Sequence, residues 1–186
     1  MASQRRTSLG RVLDVGCGTG QLLVAARSSA ASLVGIDIDT DALAVARRAL
    51  PDATLLAGSV DELPFEAGTF DTIFFCDVIE HLNNPVAPLA TLRRLLAGGG
   101  LLVVTTPNAN ALMRVLLRDG WFGLSDEGHI LFFTAFTLGH VLRKTGFRSV
   151  SVRTIGGFGK PVLDAAFELF SNGGTLLAFA RAEDAR

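Results

Sequence analysis

The sequence contains no tyrosine and only two cysteines among its 186 residues. Cys17 and Cys76 do not form a CxxC pair, so we interpret both as reduced thiols that fill tight, apolar positions. Charged residues make up only 19% of the chain and hydrophobic residues 49%. This composition excludes an intrinsically disordered protein, because enough apolar surface is available to form a core.

Long apolar runs and basic clusters are also lacking. No stretch reaches the roughly 18–20 apolar residues that cross a membrane. Residues 1–10 contain Arg5 and Arg6 but no apolar segment typical of a signal peptide. We therefore expect a cytoplasmic protein without a membrane span. The net charge is −1, without a run of Lys or Arg, which argues against a nucleic-acid partner.

Short apolar runs alternate with amphipathic runs along most of the chain. Strands that are apolar on both faces and separated by helices predict an α/β fold with a doubly wound, mostly parallel sheet. Strands are predicted at residues 11–15, 32–37, 53–57, 70–75, 101–106, 149–154 and 175–181. Helices are predicted at residues 20–30, 40–50, 85–97, 108–118, 134–145 and 161–170, with the third ended by the glycines at 98–100.

The first predicted strand leads into a glycine loop with the sequence VLDVGCGTG, from Val12 to Gly20. Glycines there let a ligand lie against bare amides at the start of a helix. Nicotinamide dinucleotide sites have the spacing G-x-G-x-x-G, which this loop lacks, so an oxidoreductase is the weaker interpretation. The carboxylate of Asp14, just before the loop, suits a cationic group such as an ammonium.

Asp37 ends the second predicted strand, about 20 residues after the glycines, where an acid accepts hydrogen bonds from ribose hydroxyls. Asp39 is the competing candidate. It directly precedes an amphipathic run, so we interpret it, or Thr40, as the cap of the next helix.

Four ordered motifs give the chain a specific resemblance. They are the glycine loop, Gly35-Ile36-Asp37, the segment from Asp61 through Leu63-Pro64-Phe65 to Asp71, and Val78-Ile79-Glu80-His81-Leu82. Together with Gly128-His129 and Phe132-Phe133-Thr134, they resemble class I S-adenosylmethionine-dependent methyltransferases. Within that class, the resemblance is to the small-molecule subgroup that includes ubiquinone-pathway O-methyltransferases.

The resemblance implies a Rossmann-like seven-stranded sheet whose last strand is antiparallel, in a single domain over residues 1–186. It implies methyl transfer from S-adenosylmethionine to a small-molecule acceptor by in-line displacement, most readily to an oxygen, with S-adenosylhomocysteine as product. Asp14 would lie near the donor ammonium, Asp37 at the ribose and Ile38 on the adenine. Ser59 stands where the family commonly has Asp, and its hydroxyl is shorter and uncharged. The implied donor-binding residues are Asp14, Gly16, Cys17, Gly18, Gly20, Asp37, Ile38, Ser59, Val60, Cys76 and Asp77.

Acceptor chemistry is expected from His81 and His129, the candidate catalytic bases. His129 lies in an acceptor-side insertion at about residues 107–135, and a structural role for it is equally open. On a helix, Asp77, Glu80 and His81 would share one face that could bind a divalent ion, as similar residues do in some relatives. We favour hydrogen bonding over metal binding for these three. Trp121, Phe122, Phe132 and Phe133 could form core or wall an apolar acceptor pocket.

The first strand begins near residue 11, so helices that precede it in the family and cover the cofactor are not expected. The donor site would then be open, or covered by a second copy or a partner subunit. A non-catalytic subunit that binds S-adenosylmethionine is the alternative function.

Overall fold

The computed structural model describes residues 8–60, 63–111, 114, 116, 126–155 and 174–183. Its strands are β1 Gly10–Val15, β2 Ala30–Asp37, β3 Thr54–Ala57, β4 Phe70–Cys76, β5 Leu96–Pro107, β6 Arg148–Ile155 and β7 Thr175–Arg181. Its helices are α1 Gln21–Ala26, α2 Thr40–Ala49, α3 Val86–Leu95, α4 Ala135–Lys144 and a 3₁₀ helix Ile79–His81.

The seven strands form one sheet in the order β3-β2-β1-β4-β5-β7-β6. Strands β1 to β5 pair in parallel, whereas β7 is antiparallel to both β5 and β6. The predicted doubly wound sheet with an antiparallel last strand is confirmed. Strand β1 has β2 on one side and β4 on the other, so the order in which strands are added to the sheet reverses there. Ligands of open α/β sheets bind at such a switch point, beyond the carboxyl ends of the strands.

The core lies on both faces of the sheet, in two clusters of buried apolar side chains. Neighbouring residues of β1 illustrate this, because Val12 and Leu13 face opposite sides and both are fully buried. The sheet therefore holds the ends of β1 and β4 rigidly. Among the described helices, none is long and apolar enough to cross a membrane.

Helix α2 begins as the sequence predicts, because Oδ1 of Asp39 accepts hydrogen bonds from the amides of Asp41 and Ala42. The predicted end of α3 is wrong. Helix α3 ends at Leu95, and the three glycines lie inside β5, which already pairs at Leu96 with Phe70 of β4. Leu95 and Leu96 are both buried, so packing against the sheet sets the transition before the glycines are reached.

The predicted helix at residues 108–118 begins differently, because Asn108 forms an isolated bridge with Phe133. Five of its residues, and the predicted helix at 161–170, lie outside the described part of the chain.

Candidate functional site

The turn after β1 requires glycine. The amides of Gly16 and Cys17 both donate to the carbonyl of Ile36, at 2.8 and 3.1 Å, which bends the chain sharply off the strand. Gly16 has φ +78°, and a Cβ there would lie 2.3 Å from Cγ2 of Val78. Gly18 also has a positive φ, but a Cβ there would meet no atom within 4 Å. The backbone at Gly18 is therefore open to a ligand.

Gly20 and the side chain of Cys17 pack inward. A Cβ on Gly20 would lie 2.9 Å from Cδ1 of Leu50, so this glycine lets α2 approach the start of α1. Cys17 is 7% exposed, and burial raises the pKa of its thiol to about 12. Burial likewise raises the pKa of Cys76, at the end of β4, to about 11. Both cysteines are therefore thiols at neutral pH.

A cavity of about 430 Å³ opens beyond the carboxyl ends of β1, β2, β3 and β4. Its position is the switch point of the sheet. It is lined by Val15, Gly16, Asp37, Ile38, Gly58, Ser59, Val60, Asp77, Val78, His81 and Leu82.

Asp37 is fixed at the wall of this cavity. Its Oδ2 accepts from the amide of Gly18 at 2.6 Å, and its Oδ1 accepts from the amide of Asp39 at 2.8 Å. Each carboxylate oxygen can accept a further hydrogen bond, so a ligand diol can still bind here. Ile38, the next residue, is 79% exposed at the cavity rim, although it is apolar. The pair offers a carboxylate acceptor beside an exposed apolar side chain.

Asp14 is a carboxyl group buried beneath the glycine loop, with 2% exposure. Burial, reinforced by the charge of Asp37, raises its pKa to about 7. A buried carboxylate is destabilised unless a positive group accompanies it. An ammonium bound at the glycine loop would supply that charge, so the residues present fit an amino acid group.

His81 lies at the same cavity, between it and a second cavity at the start of α3. Its Nδ1 is 2.9 Å from the carbonyl oxygen of Gly128. A carbonyl oxygen only accepts, so Nδ1 carries the proton and Nε2 of the neutral ring accepts. A Cβ on Gly128 would lie 2.9 Å from His81 Nδ1, so a larger residue at that position would displace the imidazole.

His129 and Glu80 lie behind His81. The rings of His81 and His129 are 4.7 Å apart between centroids. Nε2 of His129 is 4.0 Å from Oε1 of Glu80 and 3.8 Å from Oδ2 of Asp126. Glu80 is 1% exposed, and burial raises its pKa. The site therefore combines two imidazoles with one fully buried acid.

The predicted helical face of Asp77, Glu80 and His81 is wrong. Asp77 has φ +53° and precedes a 3₁₀ helix of only three residues, so α-helical spacing does not apply. Oδ1 of Asp77 accepts from the hydroxyl of Thr105 at 3.0 Å. Glu80, His81 and His129 each have one atom that could bind a metal ion, and these three atoms lie within 4.8 Å of one another. The third member of the group is therefore His129, whereas the sequence predicted Asp77.

Comparison with known proteins shows the family of the chain. The profile of a family described as "Methyltransferase domain" matches residues 2–152. The chain belongs to this family. It is an S-adenosylmethionine-dependent methyltransferase domain.

The similar proteins include a ubiquinone biosynthesis O-methyltransferase from Paracidovorax citrulli, 36% identical over 107 residues that cover 54% of this chain and 45% of the relative. A tRNA U34 carboxymethyltransferase from Alcanivorax borkumensis is 41% identical over 103 residues, covering 52% of this chain and 32% of the relative. The match thus spans about half the length, or less, of each of these two relatives.

Among solved structures, a chain in the complex of the Haloferax volcanii Trm112 methyltransferase activator with a methyltransferase has a TM-score of 0.78. The two are 20% identical, and the match covers 95% of this chain and 84% of that one. At this identity the likeness shows the fold.

The methyltransferase gathers most of the predicted donor-binding residues around one cavity: Gly16, Asp37, Ile38, Ser59, Val60 and Asp77. Asp14, Cys17, Gly18, Gly20 and Cys76 lie outside its lining, in the strands and turns that support it. Trp121 and Phe122 are outside the described residues, whereas Phe133 is buried and Phe132 is 43% exposed.

Sequence reasoning named Gly128 and Glu80 but missed one contact of each. It did not predict that Gly128 holds His81, or that Glu80 faces His129. The signal available was the small residue directly before His129, which marks a close approach of another group.

Proposed function

We propose that this methyltransferase transfers the methyl group of S-adenosylmethionine to an oxygen atom of a small-molecule acceptor, with His81 as the general base. The observation that carries the proposal is the position of His81. It lines the same cavity as Asp37 and Ile38, and the Gly128 carbonyl leaves its Nε2 able to accept a proton.

The chain's own residues account for the donor. Asp37 accepts from the ribose hydroxyls, Ile38 packs on the adenine, and the open backbone at Gly18 meets the methionine part, with Asp14 near its ammonium. Ser59 and Val60 face the adenine edge. Bound there, the donor supplies a methyl group activated by a sulfonium, so the protein mainly aligns the reactants and excludes water.

An oxygen acceptor gives the imidazole a function. A phenol has a pKa near 10, so it is protonated at neutral pH and needs a base as it reacts. A carboxylate or a free amine would not need one. The relatives named ubiquinone biosynthesis O-methyltransferases support an oxygen acceptor. The net charge of −1 supports a small molecule over a tRNA.

The test combines an acceptor panel with a matched pair of variants. Phenols, carboxylic acids, amines and bulk tRNA are incubated with labelled S-adenosylmethionine, and products are identified by mass spectrometry. We expect phenols to be methylated. His81→Asn should lower their turnover about 100- to 10,000-fold while donor affinity stays unchanged, because asparagine can still donate to the Gly128 carbonyl.

His140→Asn is the control, since His140 is an exposed histidine of α4 away from the cavity. Methylation of amines or tRNA alone, or full activity of His81→Asn, would refute the proposal. Donor binding without any methylated product would favour the non-catalytic subunit.

A further inference from the structure

A second cavity of about 310 Å³ lies beside the first, at the loop between the 3₁₀ helix and α3. It is lined by His81, Leu82, Asn83, Asn84, Ala87 and Pro88. His81 and Leu82 also line the first cavity, so the two cavities adjoin at these residues. The volume is at the lower end of the range found for small-molecule sites.

The first cavity has little room for an acceptor once the donor is bound. S-adenosylmethionine consists of an adenine, a ribose and a methionine part, which together fill most of a cavity of about 430 Å³. An acceptor must still bring its oxygen to His81. The second cavity lies on the other side of the same imidazole, so it can hold the rest of a molecule whose oxygen is at His81.

Two carboxamides give the second cavity its hydrogen-bonding groups. Oδ1 of Asn84 accepts from the amide of Val86 at 3.0 Å, which leaves its NH₂ to donate to a ligand. Asn83 is exposed, and its carboxamide has an oxygen that accepts and an NH₂ that donates. A ligand group that both donates and accepts can therefore pair with Asn83 on both sides.

The second cavity favours a neutral ligand group. Of the described residues that line it, only His81 is ionisable. A carboxylate bound there would lose water without gaining a cation, and an ammonium would lose water without gaining an anion. A neutral polar group avoids this loss, and the three apolar lining residues can pack against a ring.

We infer that the acceptor binds in the second cavity, with its reactive hydroxyl at His81 and a neutral, hydrogen-bonding substituent against Asn83. The role of the hydroxyl rests on the proposed function. Asn83 is then a residue that determines which phenols are accepted, because it contacts the part of the acceptor that does not react.

The first test measures binding and needs no methyl transfer. Three phenols of the same size carry a para carboxamide, carboxylate or isopropyl group: 4-hydroxybenzamide, 4-hydroxybenzoate and 4-isopropylphenol. Each is titrated into the whole ¹⁵N-labelled chain saturated with S-adenosylhomocysteine and followed by NMR. We expect 4-hydroxybenzamide to bind about tenfold more tightly than the other two and to shift the side-chain amide signal of Asn83. Equal binding of the three phenols, or tighter binding of either of the others, would refute the inference.

Exchanges at Asn83 locate the preference. Asn83→Leu keeps the size of the side chain and should abolish the preference for 4-hydroxybenzamide over 4-isopropylphenol. Asn83→Asp adds a negative charge and should tighten the binding of 4-(aminomethyl)phenol about threefold. Asn110→Leu and Asn110→Asp are the matched controls, because Asn110 is an exposed asparagine outside the lining of both cavities. A preference that survives Asn83→Leu, or that Asn110→Leu removes equally, would contradict the inference.

A second readout uses the reaction. Asn83→Leu should raise the KM for 4-hydroxybenzamide about tenfold, and the loss should appear in KM rather than in kcat because the substituent does not react. Methylation of phenols without any dependence on Asn83 would refute the inference and leave the proposed function standing. Binding that depends on Asn83 without any methylated phenol would refute the function and leave the second cavity as a binding site.

Discussion

The proposed donor half and the proposed acceptor half of the cavity are built in opposite ways. In the donor half, Asp37 already accepts from the amides of Gly18 and Asp39, and the predicted residues lie at or near the carboxyl ends of β1, β2, β3 and β4. In the acceptor half, the two oxygens of Glu80 have no hydrogen-bond partner among the described residues, and His81 contacts Gly128 across 47 positions of the chain. The first half is arranged before a ligand binds, whereas the second half depends on contacts between distant parts of the chain.

The largest effect on the donor half is expected from a substitution at Gly16. Gly16→Ala places a Cβ 2.3 Å from Val78 and forces a positive φ on alanine. We expect a loss of about 2–4 kcal/mol in the free energy of unfolding, from overpacking and the left-handed backbone together. Donor binding should be lost with it. Urea denaturation and calorimetry with S-adenosylmethionine measure the two effects.

Gly18→Ala is the matched control, because it carries the same backbone strain while its Cβ meets open space. It should cost only about 1 kcal/mol of stability. Its donor affinity should nevertheless fall, since the open space belongs to the ligand. Equal stability losses at the two glycines would show that Val78 moves aside. The donor half would then not be rigid around Gly16.

The next effect separates Asp37 from Asp39. Asp37→Ala would remove the two charge-assisted hydrogen bonds that we propose to the ribose, so we expect donor affinity to fall about 100-fold. Asp39→Ala removes a helix cap and should cost about 1 kcal/mol of stability with little change in affinity. Calorimetry measures the donor affinity of both variants, and thermal unfolding measures their stability. If Asp39→Ala weakened the donor as much as Asp37→Ala, the ribose assignment would be wrong.

Strands and the donor half were predictable from sequence for the same physical reason. A strand buried on both faces reads as a continuous apolar run, and β7 was predicted with its observed ends, Thr175–Arg181. Likewise, the glycine loop and Asp37 immediately follow such runs. The glycine loop and Asp37 can therefore each be recognised from the local sequence.

For the acceptor half, the sequence predicted which residues take part but not how they are arranged. The predicted common face of Asp77, Glu80 and His81 assumed an α-helix. The structure instead has a positive φ at Asp77, followed by a short 3₁₀ helix. The contact of Glu80 with His129 depends on how residues 126–133 fold back on the 3₁₀ helix through the Glu80 carbonyl. No local pattern encodes such a tertiary contact.

A smaller effect concerns pH and the donor half. Asp14 has a pKa of about 7 in the ligand-free protein because it is buried. Binding of an ammonium favours its charged form, so donor affinity should rise roughly tenfold between pH 6 and pH 7.5. Calorimetry across that range measures it, and Asp14→Asn should bind more weakly with a flat profile. A flat wild-type profile would place the ammonium away from Asp14.

The stability of the ligand-free protein should change with pH in the opposite direction because of the same Asp14 carboxyl group. Since the folded-state pKa of Asp14 is raised, its stabilising contribution is complete below its unfolded value near 4 and is lost as pH rises through about 7. The ligand-free protein should therefore lose stability over this range relative to Asp14→Asn. A parallel pH dependence of the two proteins would show that Asp14 titrates normally.

The smallest expected effect is at Cys17, which lies in the glycine loop but points away from the cavity. Its sulfur packs so closely on β2 that a Cβ on Gly35 would lie 2.8 Å from it. Cys17→Ala should therefore cost about 1 kcal/mol of stability through a small cavity, while calorimetry should show donor affinity changed by less than about threefold. A large loss of affinity with unchanged stability would instead place the thiol against the donor. The expected outcome would mean that the donor half recognises its ligand through the backbone at this position, so the geometry of the loop matters more than the side chain it carries.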